Sequence, residues 1–198
     1  MTEPIDLLAC VQLMVESHAG QTRRLLGDQY VVHPIRMARS LHAVGASQEA
    51  VAAALLHDVV EDREPYDPEL MRARVAEVAS PRVAEIVDHL SEIKQHEGAD
   101  LSWKERVTEA LDRLVFSEDK EAWLVKVADM LDNSRDLAES LRRFGAEEVQ
   151  KHFNAPLQAR FDKFVAFAEI VRERDPNNLL LPQLDTALKN LQENLTFK

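Results

Sequence analysis

The run Ala52-Ala53-Ala54-Leu55-Leu56-His57-Asp58-Val59-Val60-Glu61-Asp62 constrains this chain more than any other segment. Its first half is apolar enough to form a buried helix, yet it leads straight into four ionisable side chains, His57, Asp58, Glu61 and Asp62. Burying an unpaired carboxylate costs several kcal/mol even after relaxation, about the stability margin of a whole domain. A partner is therefore required. A divalent cation suits the role because it accepts imidazole nitrogen and carboxylate oxygen together.

With 198 residues the chain fits one domain, large enough to bury a substantial core. Only five glycines occur, and Ala, Leu, Glu, Arg and Val are abundant, so helix is favoured outside the proline-marked breaks. No alternating β-branched stretch is long enough to require a strand. The expectation is an all-α, compact, single-domain bundle of about eight to ten helices. The lone Cys10 excludes an internal disulfide framework and fits a reducing cytoplasm. The acidic start Met-Thr-Glu-Pro-Ile-Asp does not read as a signal peptide, and no run approaches the ~20 apolar residues of a membrane span. A formal charge of −11 argues against nucleic-acid and membrane partners, which need a broad basic face. A small anionic ligand needs only a local cluster of Arg and Lys, or a cation.

Residues 3–18 read as an amphipathic helix with Ile5, Leu8, Val11 and Val15 on its apolar side. Gly20, Gly27-Asp28 and Tyr30-Val31-Val32 mark an irregular loop that carries Arg23 and Arg24. Pro34 fits the first turn of the next helix, which runs to about Val44 with Gly45 as its C′ residue. Ser47 caps a helix that carries His57-Asp58 near its C-terminal end, without a full capping box. Asp67-Pro68 and Pro81 open two more helices, the second reaching to about Lys94, followed by a polar loop over 95–99. Helices are expected at 102–115, 120–143 and 155–173, then a break at Asp175-Pro176-Asn177-Asn178 and a last amphipathic helix over 183–196 with Leu184, Leu188, Leu191 and Leu195.

His33, His57, Asp58 and Asp129 are the candidate metal ligands. His33 precedes Pro34 at a helix start, and Asp129 interrupts the apolar run Trp123-Leu124-Val125-Lys126-Val127-Ala128-Asp129-Met130-Leu131. Singly, each has an ordinary account: a core or capping histidine, or a solvated helix acid. Together, two imidazoles and two carboxylates suit Mn²⁺ or another first-row divalent ion, and a single Cys argues against thiolate-bound metals. On a continuing helix, Glu61 and Asp62 follow His57 and Asp58 at i+4 and share their face, placed to orient or deprotonate a water or to protonate a leaving group. A polar helix end running into the Arg63-Glu64-Pro65 turn is the competing account. Lys126, Asp129 and Asn133 fall on one face at i, i+3 and i+7, and with Arg135 they suit a metal-bound phosphate ester. Surface salt bridging is the alternative for Lys126 and Arg135.

His33, His57-Asp58 and Asp129 together resemble the metal-binding pattern of the HD-domain phosphohydrolases. The blocks His18-Ala19-Gly20-Gln21-Thr22-Arg23-Arg24, Tyr30-Val31-Val32-His33-Pro34, Leu55-Leu56-His57-Asp58-Val59-Val60-Glu61-Asp62 and Lys126-Val127-Ala128-Asp129-Met130-Leu131-Asp132-Asn133-Ser134-Arg135 look, in that order, like the hydrolase domain of RelA/SpoT proteins. The short chain is similar to stand-alone small alarmone hydrolases. The resemblance covers residues 5–170 and leaves the helix at 183–196 unmatched. It implies a Mn²⁺-dependent enzyme of the HD-domain helical fold that removes the 3′-pyrophosphate of (p)ppGpp, giving GDP or GTP and pyrophosphate. By motif, His33, His57, Asp58 and Asp129 would ligate the metal, and Glu61 and Asp62 would activate water and serve as acid and base. Arg23 and Arg24 would lie near the purine, Asn133 near the ribose or 3′-phosphate, and Lys126 and Arg135 near phosphates.

The chain departs from that pattern in a longer Arg24–Tyr30 loop, in Gln29 where proline is common, and in Asp136 where long bifunctional members carry threonine. These positions lie near the implied base pocket, which leaves guanine and adenine both open. An HD phosphohydrolase for another purine nucleotide, such as (p)ppApp, and a catalytically idle nucleotide-binding module are the alternatives.

Overall fold

The computed structural model describes residues 4–60, 67–91, 95–96 and 99–196. Within them the chain forms ten helices: α1 (Leu7–Ser17), α2 (Val32–Ala43), α3 (Gln48–Leu56), α4 (Pro68–Val78), α5 (Pro81–Leu90), α6 (Trp103–Ser117), α7 (Lys120–Phe144), α8 (Ala146–Gln150), α9 (Leu157–Arg174) and α10 (Leu181–Thr196). The expected all-α architecture is the observed one. The expected loop at 95–99 holds a minimal antiparallel hairpin, β1 (Gln95–His96) and β2 (Ala99–Asp100). Among the described residues no helix is long and apolar enough to cross a membrane.

Two helices organise the rest. In α3 every residue from Ala50 to Leu56 is buried, so it is a core helix enclosed on all sides rather than an amphipathic one. Its alanines let α1, α2, α5 and α7 approach closely. The 25-residue α7 packs against α2, α3, α5, α8, α9 and α10. Trp123 of α7 stacks on Phe167 of α9 with ring centroids 6.4 Å apart. The leucines expected to define the last helix do so: Leu184, Leu188 and Leu191 are buried, and Leu195 is partly so, with α10 seated on α7 and α9.

Caps account for most of the helix starts. Asp6, Ser47, Asp67, Ser80 and Asp119 each accept a backbone N–H in the first turn of the helix they precede. Ser102 and Glu105 add a complete capping box before α6, a signature that the expected start at 102 did not exploit. Gly45 takes φ 73° just after α2, as its C′ role requires. Two expectations shift. The buried side of α1 is Cys10, Leu13, Met14 and Ser17, whereas Leu8 and Val15 are exposed; this helix is apolar nearly all round, so periodicity alone did not select its core face. The α5 helix ends at Leu90, with Ser91 extended beyond it.

Asp119 joins three helix starts. Its Oδ1 accepts from Glu121 N and Ala122 N, and it receives both Nη atoms of Arg82 at 2.8 Å. Arg82 also reaches Glu121, which accepts from Ser47, the cap of α3. Burial opposes ionisation of Asp119, but Arg82 and the two backbone donors hold its carboxyl below the ordinary carboxylate value. Losing a cap and a charged hydrogen bond together, Asp119→Ala should lower the unfolding free energy at neutral pH by about 2–4 kcal/mol. A depressed folded-state pKa stabilises above the unfolded value of about 3.9 and stops doing so as pH falls through the folded value. In urea unfolding, the gap between wild type and variant should therefore narrow below about pH 4; a gap that persists undiminished at pH ~2.5 would show that the charge plays no part.

Candidate active site

The candidate ligands come from three helices that the sequence separates widely. His33 is the second residue of α2, and Pro34 sits beside it in the first turn, where an absent N–H leaves no bond unmade. His57 is the C-cap of α3, and residues 57–60 form turns rather than continuing the helix. Asp129 lies midway along α7. The packing of α2 and α7 against α3 brings these positions together. One ligand atom from each of His33, His57 and Asp58 lies within 4.8 Å of the others. The two imidazole rings meet edge to face with centroids 5.1 Å apart. Asp129 borders the trio, its Oδ1 3.5 Å from His33 Nε2.

The surrounding hydrogen bonds fix which nitrogens face the centre. His33 Nδ1 is 2.7 Å from Asp132 Oδ2, and His57 Nδ1 is 2.9 Å from the Ala54 carbonyl. Both rings therefore turn Nε2 inward, the orientation that metal-ligating histidines obtain from an acceptor on their other nitrogen. His57 Nε2 lies 2.9 Å from Asp58 Oδ2, and Asp58 also accepts from the Tyr30 hydroxyl. Asp129 accepts from Lys126 Nζ at 2.8 Å and from the Asn133 amide. Two inward imidazole nitrogens with two carboxylates form a donor set that fits a first-row divalent cation, and His33, His57, Asp58 and Asp129 would hold it.

Charge balance points the same way. Burial disfavours an imidazolium at His57, yet the adjacent Asp58 and Asp129 carboxylates raise its pKa to about 9. Burial likewise works against ionisation of Asp58, but His57 and His33 hold its carboxyl well below the usual range; Lys126 and the same imidazoles do so for Asp129. Without a cation, a proton on His57 does part of a cation's work.

A cavity of about 690 Å³ opens on this cluster. Arg23, Arg24, Lys126 and Asn133 line it, and so do Arg160 and Lys163 of α9, which the sequence reading did not single out. Arg23 donates to Asp136 and, at 2.8 Å, to Asn133 Oδ1, with its guanidinium 5.8 Å from the centroid of the Tyr30 ring. Arg24 is exposed at the rim and reaches the His152 carbonyl. Arg135 is exposed and does not line the cavity. It follows Lys126 by nine residues, which at about 100° per residue carries it to the opposite side of α7. Glu61 and Asp62 lie outside the described residues. The helix on which their shared face was reckoned ends at Leu56.

Four neighbours of the cluster were given no role in the site by the sequence reading: Tyr30, Arg36, Asp132 and Asp136. Helical spacing held the signal for three of them. Arg36 is three residues past His33, and Asp132 and Asp136 are three and seven past Asp129, each on the same helix face as that candidate ligand. Tyr30 is placed by the loop and had no periodicity to reveal it.

Because protons and cations compete for His57, Mn²⁺ binding near pH 7.5 should release about one proton, and affinity should rise with pH up to about 9 and then level off. Titration calorimetry in buffers of different ionisation enthalpy measures that release. Release of no proton would mean that His57 is already neutral near pH 7.5 or is not among the ligands.

The HD domain family profile matches residues 10–162. Guanosine-3′,5′-bis(diphosphate) 3′-pyrophosphohydrolase of Aquifex aeolicus is 32% identical over 150 residues, which are 73% of this chain and 20% of that protein. A Brucella ovis protein named GTP pyrophosphokinase rsh is 34% identical over 147 residues, 71% of this chain and 18% of that one. The chain thus spans about a fifth of the length of these curated relatives. A solved structure, described as a metazoan ortholog of SpoT that hydrolyzes ppGpp and plays a role in starvation responses, superposes with a TM-score of 0.70 at 27% identity. That match covers 98% of this chain and 99% of the other. With the profile matched over residues 10–162 and the HD pair lining its cavity, this chain belongs to the HD-domain family.

Proposed function

We propose that this chain is a Mn²⁺-dependent hydrolase that removes the 3′-pyrophosphate of (p)ppGpp, producing GDP or GTP and pyrophosphate. The observation that carries the reading is a cation-lined cavity opening on the His33, His57, Asp58 and Asp129 cluster in a protein of net charge −11. Its volume of about 690 Å³ suits a small molecule, for which roughly 300–1,000 Å³ is usual. Names borne by the Aquifex relative and the metazoan structure support the same substrate class. A nucleotide substrate and a buried, unpaired Cys10 fit a cytoplasmic setting.

Hydrolysis adds the hydroxyl of a water to the phosphorus on the ribose 3′-oxygen and a proton to that oxygen, breaking the P–O bond between them. A bound divalent cation supplies Lewis acidity, acidifying water and polarising a phosphoryl oxygen. Lys126 and Arg23 stand beside Asp129 and Asn133, where they offset negative charge on the diphosphate. Tyr30 holds Asp58 in position through its hydroxyl. Glu61 and Asp62, next in the chain after Val60, carry the acid–base work. The acidic remainder of the surface repels polyanions elsewhere, leaving the cavity as their place of entry.

Metal-stripped protein incubated with ppGpp or ppApp, with and without Mn²⁺, and resolved by anion exchange decides the reading. GDP and pyrophosphate formed from ppGpp only with Mn²⁺ is the expected result. Preference for ppApp would keep the chemistry and change the base, and no turnover of either by the Mn²⁺-loaded protein would sink the proposal. Asp58→Asn and Asp129→Asn should abolish turnover and weaken Mn²⁺ binding. Glu61→Gln should keep Mn²⁺ while losing roughly 10²–10⁴ in kcat; full activity in that variant would remove Glu61 from the acid–base pair.

A further inference from the structure

Asp132 and Asp136 are four residues apart on one face of α7, and like charges at that spacing repel. One guanidinium stands between them. Arg36 of α2 donates Nε to Asp132 Oδ1 at 2.7 Å, and its Nη2 reaches Asp132 Oδ2 at 3.0 Å and Asp136 Oδ1 at 2.6 Å. Each acid then passes its remaining capacity inward. Asp132 Oδ2 takes His33 Nδ1 at 2.7 Å, and Asp136 Oδ2 takes Arg23 Nη2, also at 2.7 Å. Arg23 continues to Asn133, and Asn133 to Asp129, which lies 3.5 Å from His33 Nε2. The contacts close into a ring that starts and ends at His33.

We propose that Arg36 is a positioning residue for two sites at once, setting the His33 ring for the metal through Asp132 and the Arg23 guanidinium for the nucleotide through Asp136. The assignment of Arg23 to the nucleotide rests on the function proposed above; the link from Arg36 to the metal does not. Arg36 stands outside the cavity lining, with its side chain 34% exposed, so it acts through the two acids rather than on a ligand. Its planar fork spans two carboxylates in fixed directions, which a lysine ammonium cannot reproduce. Arg36 therefore makes the two halves of the site respond together.

The test compares Arg36→Lys, Arg36→Gln, Asp132→Asn and Asp136→Asn in the full chain. Mn²⁺ affinity is read from the electron paramagnetic resonance signal of free Mn²⁺, KM for ppGpp is read separately, and thermal melts identify variants that remain folded. Both Arg36 variants should bind Mn²⁺ about tenfold more weakly, the loss typical of removing a ligand's outer support, and should raise KM roughly threefold or more. Asp132→Asn should reproduce the loss of Mn²⁺ affinity, and Asp136→Asn the rise in KM with Mn²⁺ affinity unchanged. The proposal is overturned if folded Arg36→Lys or Arg36→Gln binds Mn²⁺ within about twofold of wild type, or no more weakly than Asp136→Asn does. Wild type that binds Mn²⁺ without hydrolysing ppGpp would defeat the functional reading alone, since the Mn²⁺ comparison still decides the role of Arg36.

Discussion

Asp129, Asp132 and Asp136 occupy one face of α7, and the helices packed around that face remove them from bulk water. Three acids so close together would prevent docking if they stayed unpaired, because each uncompensated charge carries a desolvation penalty of several kcal/mol. Every one of them has a cationic or imidazole neighbour: Lys126 and His33 at Asp129, His33 and Arg36 at Asp132, Arg36 and Arg23 at Asp136. The contact between α2 and α7 is thus electrostatic as well as apolar, and it sets the position of His33. The geometry of the candidate site and the packing of the helices are here the same set of bonds.

The alanine-rich α3 has the complementary task. It carries almost no polar chemistry along its length, and burial of residues such as Leu56 fixes its position, each fully buried large side chain contributing about 1.5–3 kcal/mol. Its last turn then delivers His57 and Asp58 to the point where α2 and α7 have left their own polar groups. A rigid apolar post with reactive groups at its tip holds them more closely than a surface loop would.

Much of this was legible beforehand. The candidate ligands could be picked out because histidines and acids inside apolar runs conflict with burial, and that conflict has few resolutions. Helix starts were readable at Asp67-Pro68, Pro81 and Ser47, where capping chemistry is local. Less local features were not. Residues 57–60 were expected to continue a helix and instead form turns. Arg135 was grouped with Lys126 and Asn133 through proximity in sequence, whereas rotation about the helix axis puts it on the other side. Asp136 was noticed as a departure from a family pattern, but its bonds to Arg36 and Arg23 depend on the seating of α2 against α7, which no spacing rule supplies. The apolar surface of α1 misled for a related reason: with Leu8, Cys10, Val11, Leu13, Met14 and Val15 all available, only the neighbouring helices decide which of them turn inward.

Residues 33, 57 and 129 are scattered along the chain, so the cluster exists only when α2, α3 and α7 are assembled. An unfolded chain offers nothing comparable, with two histidines and their acids separated by long flexible loops. Any ion taken up at the centre is therefore a ligand of the native state alone, and occupancy at 100 times its dissociation constant deepens the folded well by about 2.7 kcal/mol. Resistance to heat or proteolysis then becomes a gauge of the surrounding concentration of the ion. Supply of a cation held there would then govern how long each molecule lasts.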